Sequence, residues 1–421
     1  MTANEFLSKH RNGADNIDSD DVINAFLSEM HGGLNGARSS LAMLPTYLYD
    51  CGGAARSEKY IVIDAGGTNF RSALGYYDGN KAVFEDERTV KMPASDARLS
   101  ADEFYTAIAR NIARLLPSAR DIGFCFSYPV KSTADGDGVV IAMPKGIDAP
   151  EIIGSKVGER LAAAISNIER GAGGAKSADG GRGKRKITAL NDTAAALLGA
   201  PTDGGCARIG YIYGTGTNIC VAADVHKTGG ARMIYNTECG NFDKFPVGDF
   251  EKAAASVTPA PDEYVLEKAT AGKYLASVIE EAFKAASIEG VIGALRGERG
   301  FTLAELSDFL SGNGAALNGL FESDSDERIA AQIASGIIER AAKLGATVNA
   351  ATAVFCGDGR AEIVAEGSTF YKLCGYRDSF EKYLDSMSRA RGISVKIVRG
   401  GGNLNGALAA ISRGAQAQNN G

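Results

Sequence analysis

The chain of 421 residues contains no tryptophan, and its three histidines (His10, His31, His226) stand far apart. Its seven cysteines are scattered singly, without a Cys-x-x-Cys pair. A structural zinc site needs clustered Cys and His at short spacing, so it has little support here. A disulfide framework has no more, and a reducing, cytoplasmic setting is expected. Long apolar runs are also missing. The longest stretch free of Asp, Glu, Lys and Arg, Ile209 to Ala223, is 15 residues broken by Gly and Thr, short of the ~20 a spanning helix needs. The opening MTANEFLSKH lacks the apolar core of a signal segment. No basic excess exists either: 45 Lys plus Arg against 51 Asp plus Glu gives −6, which argues against a nucleic-acid binder. Neither membrane nor nucleic acid is expected as a partner.

What is abundant is glycine. The 53 glycines are about one residue in eight, against about one in fourteen usually. Length alone exceeds what one core covers, so two domains are expected. Ile23 to Met30 is apolar at helical spacing, and Gly32, Gly33 and Gly36 are expected to break that helix. Residues 59–93 read as three consecutive strands: Tyr60 to Ile63, Phe70 to Tyr77, and a third after the Asp78-Gly79 turn. Ser100 and Glu103 form a capping-box pattern opening a helix to about Leu116. A strand is expected over Ile122 to Val130, and a helix over Ser155 to Arg170. The glycine-rich, basic segment 171–186 reads as a solvated insertion. Beyond it the pattern restarts, with strand, turn and helix over 187–200 and an apolar hairpin over 208–230. Helices follow over 262–286 and 327–351, the latter with a stripe at Ile329, Ile333 and Ile337. Ile393 to Val398 reads as a strand, and GGGNLNGALAAIS (400–412) as a glycine turn opening a helix.

Gly66-Gly67-Thr68-Asn69 and Gly216-Thr217-Asn218 each sit between two apolar strands, in opposite halves of the chain. This weak duplication suggests two related α/β domains whose glycine turns face a ligand cleft. Glycines let backbone N–H groups approach anionic oxygens closely. Thr68 adds a hydroxyl, and Asp64 could hold a metal ion through water. Gly214-Thr215-Gly216-Thr217 is a second such turn. Taken singly, each is more simply explained as hairpin geometry. Neither a Walker A loop nor a Rossmann glycine motif occurs.

Asn191-Asp192-Thr193 falls at a strand-to-helix switch. Asp192 is either a helix cap or a base presented to the cleft. Phosphoryl transfer to an alcohol needs one carboxylate to accept the hydroxyl proton. Ser127, Lys145, Asn218, Glu238 and Glu267 are polar residues in apolar surroundings, the kind of set that would meet the hydroxyls of a sugar.

Together these residues resemble the hexokinases of the sugar kinase, actin and Hsp70 superfamily. DAGGTNFR (64–71) resembles that family's first phosphate motif, and GFCFSYP (123–129) its sugar-site signature. LNDT (190–193) resembles the motif that carries the base, and YGTGTN (213–218) the second phosphate motif. NTECGNF (236–242), LEKATAGKYL (266–275) and GGGNLNGAL (400–408) follow in the family's order. The resemblance implies two RNase H-like, actin-like ATPase domains with a ligand cleft between them. The small domain would be residues 57–190 plus 403–421, the large one 1–56 plus 191–402. It implies ATP and Mg²⁺ as cofactors and a hexose, most simply glucose, as substrate of a monomer or homodimer. Asp192 would take the proton of the sugar 6-hydroxyl. Ser127, Lys145, Asn191, Asp192, Asn218, Glu238 and Glu267 would bind the sugar. Asp64, Gly66, Gly67, Thr68, Asn69, Arg71, Gly214, Thr215, Gly216 and Thr217 would surround the phosphates and Mg²⁺, with Gly401, Gly402 and Asn403 beside the adenosine. Pro144 stands where the family usually has Thr, which removes one hydroxyl donor. Another hexose, or a sensor that binds sugar without turnover, remains an alternative.

Overall fold

The computed structural model describes residues 1–50, 58–143, 146–171, 185–202, 206–224, 232–297, 300–313, 317 and 319–417. Its first strands are β1 (Leu44–Asp50), β2 (Tyr60–Ala65), β3 (Asn69–Asp78), β4 (Lys81–Lys91) and β5 (Ile122–Phe126). Next come β6 (Val130–Ser132), β7 (Gly138–Val140), β8 (Ile187–Leu190), β9 (Ala207–Tyr213) and β10 (Thr217–Ala223). The last are β11 (Arg232–Asn236), β12 (Arg360–Glu366) and β13 (Ser394–Arg399). The helices begin with α1 (Ala3–Lys9), α2 (Ser19–Leu34), α3 (Ala101–Ile112), α4 (Val157–Gly171) and α5 (Asp192–Gly199). They continue with α6 (Asp249–Ser256), α7 (Val265–Thr270), α8 (Gly272–Ile288), α9 (Leu303–Leu310) and α10 (Asp324–Cys356). The final three are α11 (Ser368–Lys372), α12 (Tyr376–Ala390) and α13 (Asn403–Ala417).

Two compact units divide the chain. One comprises 44–205, 222–236 and 399–421. Its five-stranded sheet has the order β4-β3-β2-β5-β8, with β3 antiparallel to β2 and β5 and β8 parallel to it in turn. Alternation along the strands sends Ile61, Ile63, Phe70 and Leu74 to one face, where they are buried with Phe104, Ile108 and Ile112 of α3 and Leu161 and Ile165 of α4. The other face is covered by α13. A Cβ on Gly123 of β5 would come within 2.1 Å of the Ala407 carbonyl oxygen, so only glycine admits that helix. The expected cap of α3 is in place: Ser100 Oγ accepts from the Glu103 amide, and the Glu103 carboxylate accepts from the Ser100 amide at 2.8 Å.

The other unit comprises 1–43, 206–221 and 237–398. It carries the strand order β10-β9-β12-β13, with β12 parallel to β9. This repeats the order β3-β2-β5-β8, the structural counterpart of the duplicated glycine turns. Through it runs α10, 33 residues long, with Ile333 and Ile337 buried. Arg340 of α10 is 1% exposed and donates from Nε to Glu251 Oε1 at 2.6 Å. Its Nη1 reaches the Gly13 carbonyl at 3.2 Å, its Nη2 reaches the Pro246 carbonyl, and Lys343 Nζ reaches the carbonyls of Ala14 (3.0 Å) and Ile17 (2.9 Å). These cations hold the N-terminal segment by its carbonyl groups.

Three sequence expectations are corrected. Gly32 and Gly33 do not break the first long helix; α2 runs through them to Leu34. A Cβ at Gly33 would meet the Leu41 carbonyl oxygen at 2.1 Å, so this glycine serves a close chain crossing. The strand expected over 122–130 ends at Phe126, and β6 starts afresh at Val130. The helix expected over 262–286 is two helices, interrupted at Ala271, which is extended at φ −74°, ψ 153°. The segment 172–184, most of the basic insertion, lies outside the described residues. Among the described residues, no helix is long and apolar enough to cross a membrane.

Candidate active site

In the first unit, strands β2 and β3 pair so that Asp64 faces Arg71. Asp64, 3% exposed, accepts from Arg71 Nε at 2.9 Å through Oδ2 and from Asn403 Nδ2 at 2.9 Å through Oδ1. One carboxylate thus ties the start of α13 to the first glycine turn. Within that turn the Gly66 amide donates to the Asn69 carbonyl at 3.0 Å. The amides of Gly67 and Thr68 have no partner among the described residues, and Thr68 and Asn69 are exposed. Tyr128 backs the turn, its hydroxyl donating to the Gly66 carbonyl at 2.6 Å. Burial, and then the charge of Asp64, push the Tyr128 phenol well above its ordinary value, so it stays a donor at neutral pH.

Ser127 is 7% exposed, and its amide donates to the Ala65 carbonyl at 3.1 Å, joining the sugar-site signature to the strand of the phosphate turn. At the β8–α5 switch, Asn191 is the N-cap: its Oδ1 accepts from the Ala194 amide at 3.0 Å. Asp192 is the first helical residue and is half-buried. The cap reading of Asp192 is therefore corrected: Asn191 does that work. Gly401 and Gly402 precede α13. A Cβ at Gly401 would lie 1.9 Å from the Gly199 carbonyl oxygen, so close packing of α13 on α5 accounts for this glycine by itself. Lys145 and Pro144 lie outside the described residues.

The second unit builds a matching turn. The Gly214 amide donates to the Gly216 carbonyl at 2.9 Å, and the amides of Thr215 and Gly216 have no partner among the described residues. Both turns thus pin their first glycine and leave the next two amides open, the arrangement that makes an anion-binding concavity. Here α7 and α8 supply the backing. The Gly272 amide donates to the Gly214 carbonyl at 2.9 Å and the Lys273 amide to the Thr215 carbonyl at 3.1 Å. The Thr217 amide donates to Glu267 Oε2 at 3.1 Å.

Around Glu267 stand the remaining candidates of this unit. Asn218 Oδ1 accepts from the Cys239 amide at 3.3 Å. Glu238 is held in the left-handed region at φ 55°, ψ 45°, and Tyr264 at φ 53°, ψ 45°. Left-handed residues other than glycine store about 1–3 kcal/mol each and cluster at functional sites. The Cys239 thiol is pushed up by burial and then by the charge of Glu238, with a smaller contribution from Glu267. The Tyr264 phenol is likewise raised by burial and then by carboxylates that include Glu238 and Glu267. Asn218, Glu238 and Glu267 therefore share one neighbourhood, beside the second turn.

Four residues escaped the sequence reading. Tyr128 carried a visible signal, a hydroxyl-bearing ring next to Ser127. Gly240 and Gly272 lie inside the motifs NTECGNF and LEKATAGKYL without standing out in them, and Gly367 carried no signal, because its reason is a distant contact: a Cβ there (φ +121°) would meet the Tyr213 carbonyl oxygen at 2.2 Å. Gly216 shows what the packing demands. A Cβ there would stand 2.6 Å from Glu267 Oε2. If, as the resemblance implies, this turn holds nucleotide and Glu267 holds sugar, Gly216→Ala is expected to displace that carboxylate and weaken both affinities together, by roughly tenfold or more in kcat/KM. Gly66→Ala, whose Cβ has only an ordinary contact at 3.4 Å, is expected to leave stability within ~1 kcal/mol. Kinetics with each ligand varied in turn, plus melting curves, test the contrast. Equal behaviour of the two variants would refute it.

Comparison with known proteins identifies the family and the fold. Among curated relatives, hexokinase-2 of Oryza sativa subsp. japonica is 28% identical over 286 residues, covering 61% of this chain and 55% of its own. Hexokinase-1 of Saccharomyces cerevisiae is 27% identical over 285 residues, covering 61% and 56%. The chain thus spans about half the length of the curated relatives it matches. A hexokinase from Schistosoma mansoni complexed with glucose shares the fold at TM-score 0.75, with 21% identity over 97% of this chain and 100% of that one. A second hexokinase structure gives TM-score 0.76 at 20% identity, covering 97% and 98%. These likenesses place the α/β fold with the hexokinase form of the actin-like ATPases. Two family profiles described as hexokinase match residues 4–201 and 208–412. Nearly the whole chain is covered by them, and it belongs to the hexokinase family.

Proposed function

We propose that the protein transfers the γ-phosphoryl group of ATP to the 6-hydroxyl of a hexose, glucose being the first candidate. The observation that carries this reading is the pair of turns whose second and third amides are open, at Gly67-Thr68 and Thr215-Gly216. Asp192 takes the hydroxyl proton as the sugar oxygen forms its bond to the γ-phosphorus. The bond from that phosphorus to the bridging oxygen breaks, and ADP leaves with the electron pair. Ser127, Lys145, Asn191, Asn218, Glu238 and Glu267 hold the sugar hydroxyls. Asn191, with Oδ1 occupied by its helix, offers Nδ2 as donor. Glu267 accepts from the Thr217 amide, so one carboxylate serves both the sugar and the second phosphate turn.

Mg²⁺ fits on one condition. Among the described residues no group of three or more His, Cys, Asp or Glu could hold a metal ion, and both oxygens of Asp64 already accept hydrogen bonds. This suits a cation that keeps its waters and arrives on phosphate oxygens, with Asp64 accepting from those waters. When bound, the ion would neutralise phosphate charge.

The test is ATP-dependent phosphorylation across a panel of glucose, mannose, fructose and N-acetylglucosamine. Turnover of glucose above the others supports the reading as stated. Turnover of another hexose moves the substrate and keeps the chemistry, in line with Pro144 preceding Lys145. Binding of a sugar without any turnover establishes a sensor instead.

A further inference from the structure

On the α3 face of the five-stranded sheet, away from Arg71 and Asp64, Ser72, Arg88, Val90, Arg110, Asn111 and Arg114 line a recess of about 140 Å³. Ser72 pairs directly with Arg88 across β3 and β4. Arg110 and Arg114 stand one helical turn apart, where α3 ends. Beside them β4 carries a bulge: Leu74 pairs with Glu85 although Ser72 pairs with Arg88, and Asp86 takes a left-handed φ of 46°. That conformation turns Asp86 onto Arg114, whose Nη2 donates to the Asp86 carbonyl at 2.6 Å and to the Ser72 carbonyl at 3.1 Å. Nη1 donates to the Asn111 carbonyl at 2.5 Å and to Ser72 Oγ at 3.2 Å. Arg114, 15% exposed, is thereby a fixed charge at the back of the recess.

The charges do not cancel. Among the described residues, Asp86 is the carboxylate ion-paired with these guanidinium groups, with Oδ2 3.0 Å from Arg114 Nε and Oδ1 3.4 Å from Arg88 Nε. Arg110 is exposed and makes no ion pair among the described residues. Three guanidinium groups against one carboxylate leave two positive charges around the recess. Ser72 Oγ, an acceptor from Arg114, still has its own O–H to donate. The recess has room for one tetrahedral oxyanion with water. Guanidinium forks match phosphate oxygens in geometry as well as in charge.

We propose that this recess binds a phosphoryl group, as free inorganic phosphate or as the phosphate of a sugar phosphate, at a site separate from the two glycine turns. Arg88 and Arg110 make the contacts, and Arg114 holds the field. The inference stands independently of the proposed catalysis, because its residues lie on the opposite face of the sheet from Asp64, Arg71 and Asn403.

Calorimetric titration of the full chain with inorganic phosphate, and separately with glucose 6-phosphate, tests it. In Arg88→Ala/Arg110→Ala the affinity is expected to fall at least tenfold for whichever anion binds, and Arg110→Gln alone to give an intermediate loss. Both side chains are exposed, so an unchanged melting temperature keeps the comparison clean. Equal losses for the two anions mean that the phosphoryl group alone is read; binding of glucose 6-phosphate alone names the sugar phosphate as ligand. Affinity unchanged in the double variant would assign the binding to the glycine turns and overturn the proposal, as would the absence of saturable binding by the native chain.

Discussion

Asp192→Ala is expected to lower hexose phosphorylation by about 10²–10⁴-fold in kcat while the chain stays folded, the range a positioned general base supplies. The second half of this expectation comes from the structure. The N-cap of α5 is Asn191, whose Oδ1 holds the Ala194 amide, so removing the Asp192 carboxylate leaves the helix start intact. Asp192→Asn is the sharper probe, because it keeps size and polarity and removes only basicity. Asn191→Ala should differ in adding a loss of about 0.5–2 kcal/mol in stability from the missing cap to a weakened hold on the sugar. Rates and melting curves for the three variants separate the roles. Near-native turnover by Asp192→Asn would remove Asp192 as the base.

The largest expected effect on stability lies in the other unit, at Arg340. Its side chain is 1% exposed, and its partner Glu251 is 3% exposed. Removing one member of such a pair leaves a buried charge uncompensated, at a cost of about 3–5 kcal/mol. Arg340→Met also withdraws the donors from the carbonyls of Gly13 and Pro246. The melting temperature is expected to fall by roughly 5–15 °C, and the segment around Gly13 to become a site of early proteolysis. Arg340→Met/Glu251→Leu should recover only part of the loss, since the two carbonyls remain unpaired. Full recovery would show that the ion pair, and not the tether, sets the cost.

Much of this architecture is written locally in the sequence. The hairpins either side of Gly66 and Gly216 announce themselves by apolar runs around glycine, and α3 by Ser100 and Glu103. The candidate residues stand in the sequence as motifs, and some of them meet within a unit: Asp64, Arg71 and Asn403 by hydrogen bonds, and Glu267 with Thr217. What stayed hidden depends on distant chain. Gly33 looks like a breaker until Leu41 is seen crossing it, and Gly401 looks like a ligand turn until Gly199 is seen against it. The N-terminal helix α1 is only seven residues long and depends on α10 for its packing, so its own periodicity is too brief to register. Asn191 and Asp192 are both good capping residues, and composition alone does not choose between them.

The hydrogen bond from the Thr217 amide to Glu267 also bears on how this protein can change over generations. On the proposed reading, a substitution at Glu267 that alters the choice of sugar also disturbs the loop that grips the nucleotide, so variants there are filtered twice. Glu267 and Gly216, where a Cβ would stand 2.6 Å from that carboxylate, are therefore expected to change only together.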